Sequence, residues 1–240
     1  MAGKSSNSSL WIGLGCGGCL LLVVLTIGAV VGAGWLGVNR FQGYVEDMED
    51  PERRSQRVAE KLGAESLPEG YHGLFFFSIP FVLEIVAATD DEQLATRGGD
   101  FEASEIRGDN RFVFIRFRFE PDGDVRAELG GVSYDSKDGS THIQTDELDL
   151  ESEETLGEGE FELGEQLLRY RAHRGTLEGD PGIYASVAID CPGEKNRRAA
   201  LWFSSLSEAQ LAGEEPVEID GTPADRQALE AFFGHFDVCP

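Results

Sequence analysis

The chain has 240 residues, 20 of them Lys or Arg and 44 Asp or Glu, for a formal charge of −24 against an ordinary apolar content of 41%. That balance excludes a basic nucleic-acid binder, four cysteines exclude a disulfide-dense miniprotein, and a single long apolar run excludes a polytopic transporter. The length suits one anchor plus one domain of about 200 residues.

Residues 1–9 form a short tail. From Leu10 to Val38 there are 29 residues without a charge, about 43 Å as a helix against a bilayer core of about 30 Å. One transmembrane helix is the expectation. A cleavable signal peptide competes, with Lys4 as its basic region and Val31-Gly32-Ala33 as a small-residue cleavage site. Apolar character continues through Trp35, Leu36 and Val38, which favours an uncleaved span. Cys16 and Cys19 precede the Leu20–Val31 stretch, whereas a lipidated cysteine follows its apolar region. Arg40, Arg53, Arg54 and Arg57 outnumber Lys4 across the span, yet acids lie among them and a large folded domain translocates despite its charges. The reading is a single-pass membrane protein, the membrane as one partner, with its domain outside the cytoplasm. Gly28 and Gly32 have the small-xxx-small spacing through which spanning helices pack, as a homodimer or on another membrane protein. A segment this rich in glycine also holds such spacings by chance.

An acidic segment and helix occupy 39–66. Asp50 suits the cap, Pro51 the first helical position and Glu52 the positive end of the dipole, with Val58, Ala59 and Leu62 as a narrow apolar stripe running to about Gly63. The domain proper, 67–240, then turns extended. Leu74–Ser78 and Phe81–Ala88 read as a buried strand pair around Pro80. Between Phe112 and Phe119, Val113, Ile115, Phe117 and Phe119 alternate with Arg116 and Arg118, so one sheet face is core and the other at least partly wet. Further strands read at Val125–Tyr134, Thr141–Thr145, Gln166–His173, Ile183–Asp190 and Ala199–Ser204, with turns at Asp122-Gly123 and Asp138-Gly139. A last helix opened by Thr222-Pro223 carries Leu229, Phe232, Phe233 and Phe236 on one stripe, as core. The fold class is α+β: an antiparallel sheet with a helix before and a helix after it, both on one face, preceded by the transmembrane helix.

The helix opening Asp50-Pro51-Glu52, the Leu67-Pro68-Glu69-Gly70-Tyr71 turn, the Leu74–Ala88 pair and the C-terminal Phe236-Asp237-Val238-Cys239 resemble a loosely defined set of bacterial single-pass membrane proteins with an exported α+β domain. The resemblance implies that architecture and no activity. In order of elements the chain is also similar to PsbP-like domains, at the level of architecture alone.

Catalytic and cofactor motifs are missing from the sequence: there is no Gly-x-Ser-x-Gly, no phosphate-binding glycine loop and no His-Glu-x-x-His. Cys16-Gly17-Gly18-Cys19 has redox spacing but sits at the start of an apolar helix. His72, His142, His173 and His235 are scattered with no pair at ligand spacing, so neither metal nor cofactor is expected. His173 with Arg169 and Arg171 on one strand face suits an anion or, more simply, cross-strand pairing with the acids that precede it. Those acids, ten within Asp146–Glu165 and no Lys or Arg, read as a solvated loop, since calcium-loop spacing fails. Cys191 and Cys239 are the cysteines outside the apolar segment. If the last helix packs across the sheet its tail reaches a strand end, and a disulfide between them follows; two unpaired thiols are the alternative, suited to a cytoplasmic domain.

With no catalytic constellation, the leading reading is a non-catalytic binding or envelope-interaction module. An accessory subunit of a membrane complex and an enzyme with an unrecognised site are the alternatives, and a polar cleft with convergent carboxylates would favour the last. No nucleic-acid partner is expected at this charge.

Overall fold

The computed structural model describes residues 47–96, 108–118, 133–134, 141–142, 150–194 and 196–239. It is α+β, built on a seven-stranded antiparallel sheet. In chain order the elements are α1 (Pro51–Lys61), β1 (His72–Ile79), β2 (Leu83–Thr89), α2 (Glu92–Thr96), β3 (Asn110–Phe117), β4 (Ser133–Tyr134), β5 (Thr141–His142), β6 (Leu150–Leu163), β7 (Gln166–Leu177), β8 (Asp180–Asp190), β9 (Arg197–Ser205), α3 (Glu208–Leu211) and α4 (Arg226–Phe233). The sheet order is β1-β2-β3-β9-β8-β7-β6, so two meanders run inward from opposite edges and join where β3 pairs with β9. β4 and β5 pair with each other.

α1 begins where its sequence predicts: the Asp50 carboxylate accepts from the N–H groups of Glu52 and Arg53, and Val58, Ala59 and Leu62 are fully buried. α4 is capped by Asp225 rather than at Thr222. It lays Phe232, Phe233 and Phe236 against Phe112 of β3, and Phe232 stacks on Trp202 of β9 at 4.4 Å. α1 and α4 thus share the face of Phe112 and Phe114. The opposite face carries Val113, Ile115, Phe117, Leu201 and Phe203, joined by Leu94 of α2.

Three expectations need correction. The single-pass membrane assignment rested on Leu10–Val38, which lies outside the described residues together with Gly28, Gly32, Cys16 and Cys19. Among the described residues no helix is long and apolar enough to cross a membrane, so that assignment has no spanning helix under it. Second, the face that carries Arg116 and Arg118 is core over most of its length: Phe112 and Phe114 are buried on it and Arg116 is half-buried, donating to the Val238 carbonyl, while Arg118 at its end is exposed as expected. Third, the acidic run is not a loop. Leu150–Leu163 is the edge strand β6, paired with β7 from end to end except at register shifts between Ser152 and Glu154 and between Thr155 and Gly157. Charge suppressed the strand reading, yet pairing with one neighbour strand is enough to hold an edge whose glutamates face solvent. A two-residue turn at Glu178-Gly179, both with positive φ, then carries β7 beyond its expected end at His173 to Leu177. Most of Val125–Tyr134, the end of Thr141–Thr145, the Asp122-Gly123 and Asp138-Gly139 turns and Phe119 fall outside the described residues.

Candidate functional site

A groove of about 860 Å³ opens beside the start of β1. One wall is the first two turns of α1, with Asp50, Glu52, Ser55 and Gln56; the loop into β1 supplies Glu65, Ser66, Leu67, Tyr71 and His72; α2 closes the third side with Glu92 and Thr96. Four carboxylates line it and no Lys or Arg does. Asp50 is committed to its capping bonds, the Ser55 hydroxyl accepts from the Gly73 N–H at 2.9 Å, and the Tyr71 hydroxyl accepts from Trp202 Nε1 at 2.8 Å. Burial pushes the Tyr71 phenol up, so it stays protonated. Glu52, Glu65 and Glu92 are exposed. The groove is therefore an open, acidic, hydroxyl-bearing surface on a rigid frame.

Beneath it, the frame is held by a buried cation. Arg54, fully buried, donates to the carbonyls of Gly73 at 2.8 Å, of Met48 and of Ala95, tying α1 to β1 and α2. Burial lowers its pKa and Asp50 opposes that shift.

At the other end of the β1–β2 hairpin lies a second charged group, which sequence reasoning missed. Glu84 of β2 is 1% exposed and sits between Lys61 at 2.6 Å, Arg118 at 3.1 Å and Arg116 at 3.3 Å. Burial pushes its carboxyl up, but the bond and charge of Lys61, then Arg116 and Arg118, more than reverse this and leave it below the ordinary glutamate value. Arg116 also donates to the Val238 carbonyl at 2.8 Å, and Arg198, its register partner on β9, is 2% exposed and bonded to Glu194. The available signal was a lone acid inside the apolar run Phe81–Ala88.

Cys191 and Cys239 are joined as a disulfide with a Cα–Cα distance of 5.5 Å. It closes a strap formed by the C-terminal tail. Gln166 Nε2 donates to the Phe236 carbonyl at 2.9 Å, and Asp237 lies so close to Gly63 that a Cβ there would come within 1.7 Å of its carbonyl oxygen. Gly63 also has φ 69°, so glycine is required twice over. The strap serves packing.

The histidines are not gathered. His72 lines the groove; His173 on β7 has Nδ1 2.9 Å from the Ser152 hydroxyl and 3.4 Å from that of Thr155. Partial burial, then Arg171, lowers the His173 pKa, which keeps the ring neutral at pH 7. A serine–histidine contact needs an oriented base and an oxyanion site to act as a nucleophile. This one lies on the strand pair β6–β7, and no carboxylate hydrogen-bonds the ring among the described residues. Arg171 and Arg169 pair with Glu158 and Glu160 across the strands at 3.3 and 3.6 Å, the use expected for that basic face. Among the described residues no group of His, Cys, Asp and Glu could hold a metal ion.

No family model and no curated protein matches the chain. Among solved structures, the Ran-binding protein Mog1p of Saccharomyces cerevisiae matches at TM-score 0.30 and 11% identity, over 71% of this chain and 85% of that one. A likeness at that level carries no argument about fold or function.

Proposed function

We propose that the domain is a non-catalytic binding module whose groove takes an extended, Lys- or Arg-bearing segment of a partner protein. The observation that carries this reading is the groove's composition: four carboxylates, hydroxyls and an imidazole on three walls and no Lys or Arg among the lining residues, with Asp50 capping α1 and paired with Arg53 at 3.5 Å and with Glu52, Glu65 and Glu92 exposed. Concentrating one sign of charge in a concave site steers and orients a partner of the opposite sign. The rigid base supplied by Arg54 limits the ordering that binding requires.

The test is fluorescence anisotropy of a labelled lysine/arginine nonapeptide with the full chain. Because a chain of charge −24 attracts any polycation, the comparison is between two triple variants of equal charge. Glu52→Gln/Glu65→Gln/Glu92→Gln removes groove charge, and Glu214→Gln/Glu215→Gln/Glu218→Gln removes charge elsewhere. The groove variant is expected to bind about tenfold more weakly than the control variant, a difference of about 1.4 kcal/mol. Equal binding by the two variants overturns the reading.

A further inference from the structure

The charged corner behind the β1–β2 hairpin holds more cation than its acids neutralise. Among the described residues it gathers Lys61, Arg116, Arg118 and Arg198 against the two carboxylates of Glu84 and Glu194. Four cations on two acids leave a surplus of two positive charges, in a chain whose net charge is −24. Arg116 and Arg198 are register partners on β3 and β9, and like charges set directly opposite one another repel. Each also has a buried Nε–H that meets no acceptor among the described residues. Their other bonds are committed: Arg116 donates to Glu84 and to the Val238 carbonyl, Arg198 to Glu194 and to the Asn196 carbonyl. Buried donors without partners are costly to keep. Two opposed guanidiniums with surplus charge are the donor set that recognises an oxyanion.

The C-terminal strap closes over this corner. Phe236 is anchored among Phe112, Phe232 and Phe233. Past it the tail is held by the Arg116 bond to the Val238 carbonyl, by burial of the Val238 side chain and by the bridge to Cys191. Of these only the bridge is covalent, and Cys239 is partly exposed, within reach of an attacking thiolate. We propose that the Cys191–Cys239 disulfide gates an oxyanion site formed by Arg116 and Arg198, with Arg118 and Lys61 at its edge, and that the anion is the phosphate dianion. Opening is exchange with a dithiol reductant. A thiolate of the dithiol attacks Sγ of Cys239, the S–S bond breaks, and Cys191 leaves as a thiolate that takes up a proton. The second thiol then displaces Cys239 from the mixed disulfide. The protein gains two electrons and two protons, and the dithiol becomes a disulfide. The freed tail turns outward after Phe236 and withdraws the Val238 carbonyl from Arg116, and the two guanidiniums become accessible. A dianion balances the surplus charge of the corner, which a single chloride would only halve.

The site shares no residue with the groove, so the two readings fail independently. The experiment is calorimetric titration of inorganic phosphate into the full chain, in a mild detergent that covers the uncharged Leu10–Val38 run. Chloride holds the ionic strength constant, and the titration is run before and after reduction by dithiothreitol, with alkylation and peptide mapping to establish that Cys191 and Cys239 have become thiols. Reduction is expected to tighten phosphate binding at least about tenfold. Cys191→Ser/Cys239→Ser is expected to bind like the reduced chain with no reductant present. In the reduced chain Arg198→Met should abolish binding, whereas Arg169→Met, which removes an exposed cation of β7, should leave it unchanged. Hydrogen exchange should show protection lost over 237–239 and kept in β3 and β9. Equal affinity in the two redox states, no binding by the reduced chain, loss of protection throughout the sheet on reduction, or binding that survives Arg198→Met overturns the proposal. If the serine variant fails to fold, the comparison of oxidised and reduced parent chain decides alone.

Discussion

Two of the places where glutamate meets arginine in this sheet have opposite surroundings. Behind the β1–β2 hairpin, Glu84 is 1% exposed and faces three cations. Along β6–β7, Glu158 with Arg171 and Glu160 with Arg169 make the same ion pairs at side-chain exposures between 55 and 69%. The chemistry is shared and the consequences are not. In water a pair gains little over its hydrated parts, whereas a buried carboxylate that loses its partners, or leaves them behind, has no solvent to fall back on. The first group is a structural keystone; the second chiefly keeps an edge strand soluble.

The sharpest way to break this contrast is Glu84→Gln. It leaves Lys61, Arg116 and Arg118 around a neutral amide, and removing one member of a buried pair costs about 3–5 kcal/mol. Urea unfolding should register that loss, and a change below about 1 kcal/mol would put Glu84 in the same class as the β6 glutamates. Next in size is the disulfide. Cys239→Ser opens a loop of 48 residues, and the chain-entropy model gives about 4 kcal/mol for it. Since the strap it closes also carries the Val238 carbonyl bound by Arg116, the two variants should couple. A double-mutant cycle with additive losses would show that the strap and the charge cluster are independent.

Much of this architecture was legible in the sequence, and what was missed has one physical cause. The cap at Asp50, the apolar stripes of α1 and α4 and the alternation in β3 all follow local periodicity, and each falls where the pattern puts it. Periodicity says which residues share a face but not what covers that face. Arg116 was therefore read as wet when the C-terminal strap lies over it, whereas Arg118, one turn of the pleat further on, is exposed as the pattern suggests. Charge misled in the same way at β6, where glutamates suit an exposed edge as well as a loop. The groove is assembled from α1, a loop and α2, segments up to about forty residues apart, and has no linear signature; the short α2 was not anticipated at all.

Acid titration sharpens the contrast without altering packing. Glu84 has a folded-state pKa held below the ordinary 4.5. Its contribution to stability is therefore fully present above that value and is lost as pH falls through the lowered folded-state pKa. The stability difference between the parent chain and Glu84→Gln should be constant from pH 7 to about 5 and shrink on further acidification. A difference that holds undiminished to pH 2 would show that ionisation of Glu84 is not what stabilises this corner.

The smallest stability effect belongs to the β6 edge, and there the informative readout is a different one. Glu158→Thr/Glu160→Thr/Glu162→Thr removes two cross-strand pairs and three negative charges from a strand whose backbone partners stay in place. Exposed pairs contribute about 0.2–1 kcal/mol each, and threonine's preference for strands offsets part of that loss, so the melting temperature should move by only a few degrees. Solubility should change far more. An edge freed of charge presents its unpaired N–H and C=O groups to other copies, and light scattering during a concentration series should show assembly well below the onset for the parent chain. If the threonine variant is as soluble as the parent but several kcal/mol less stable, the contrast inverts: the β6 glutamates would then be holding the fold rather than guarding its edge.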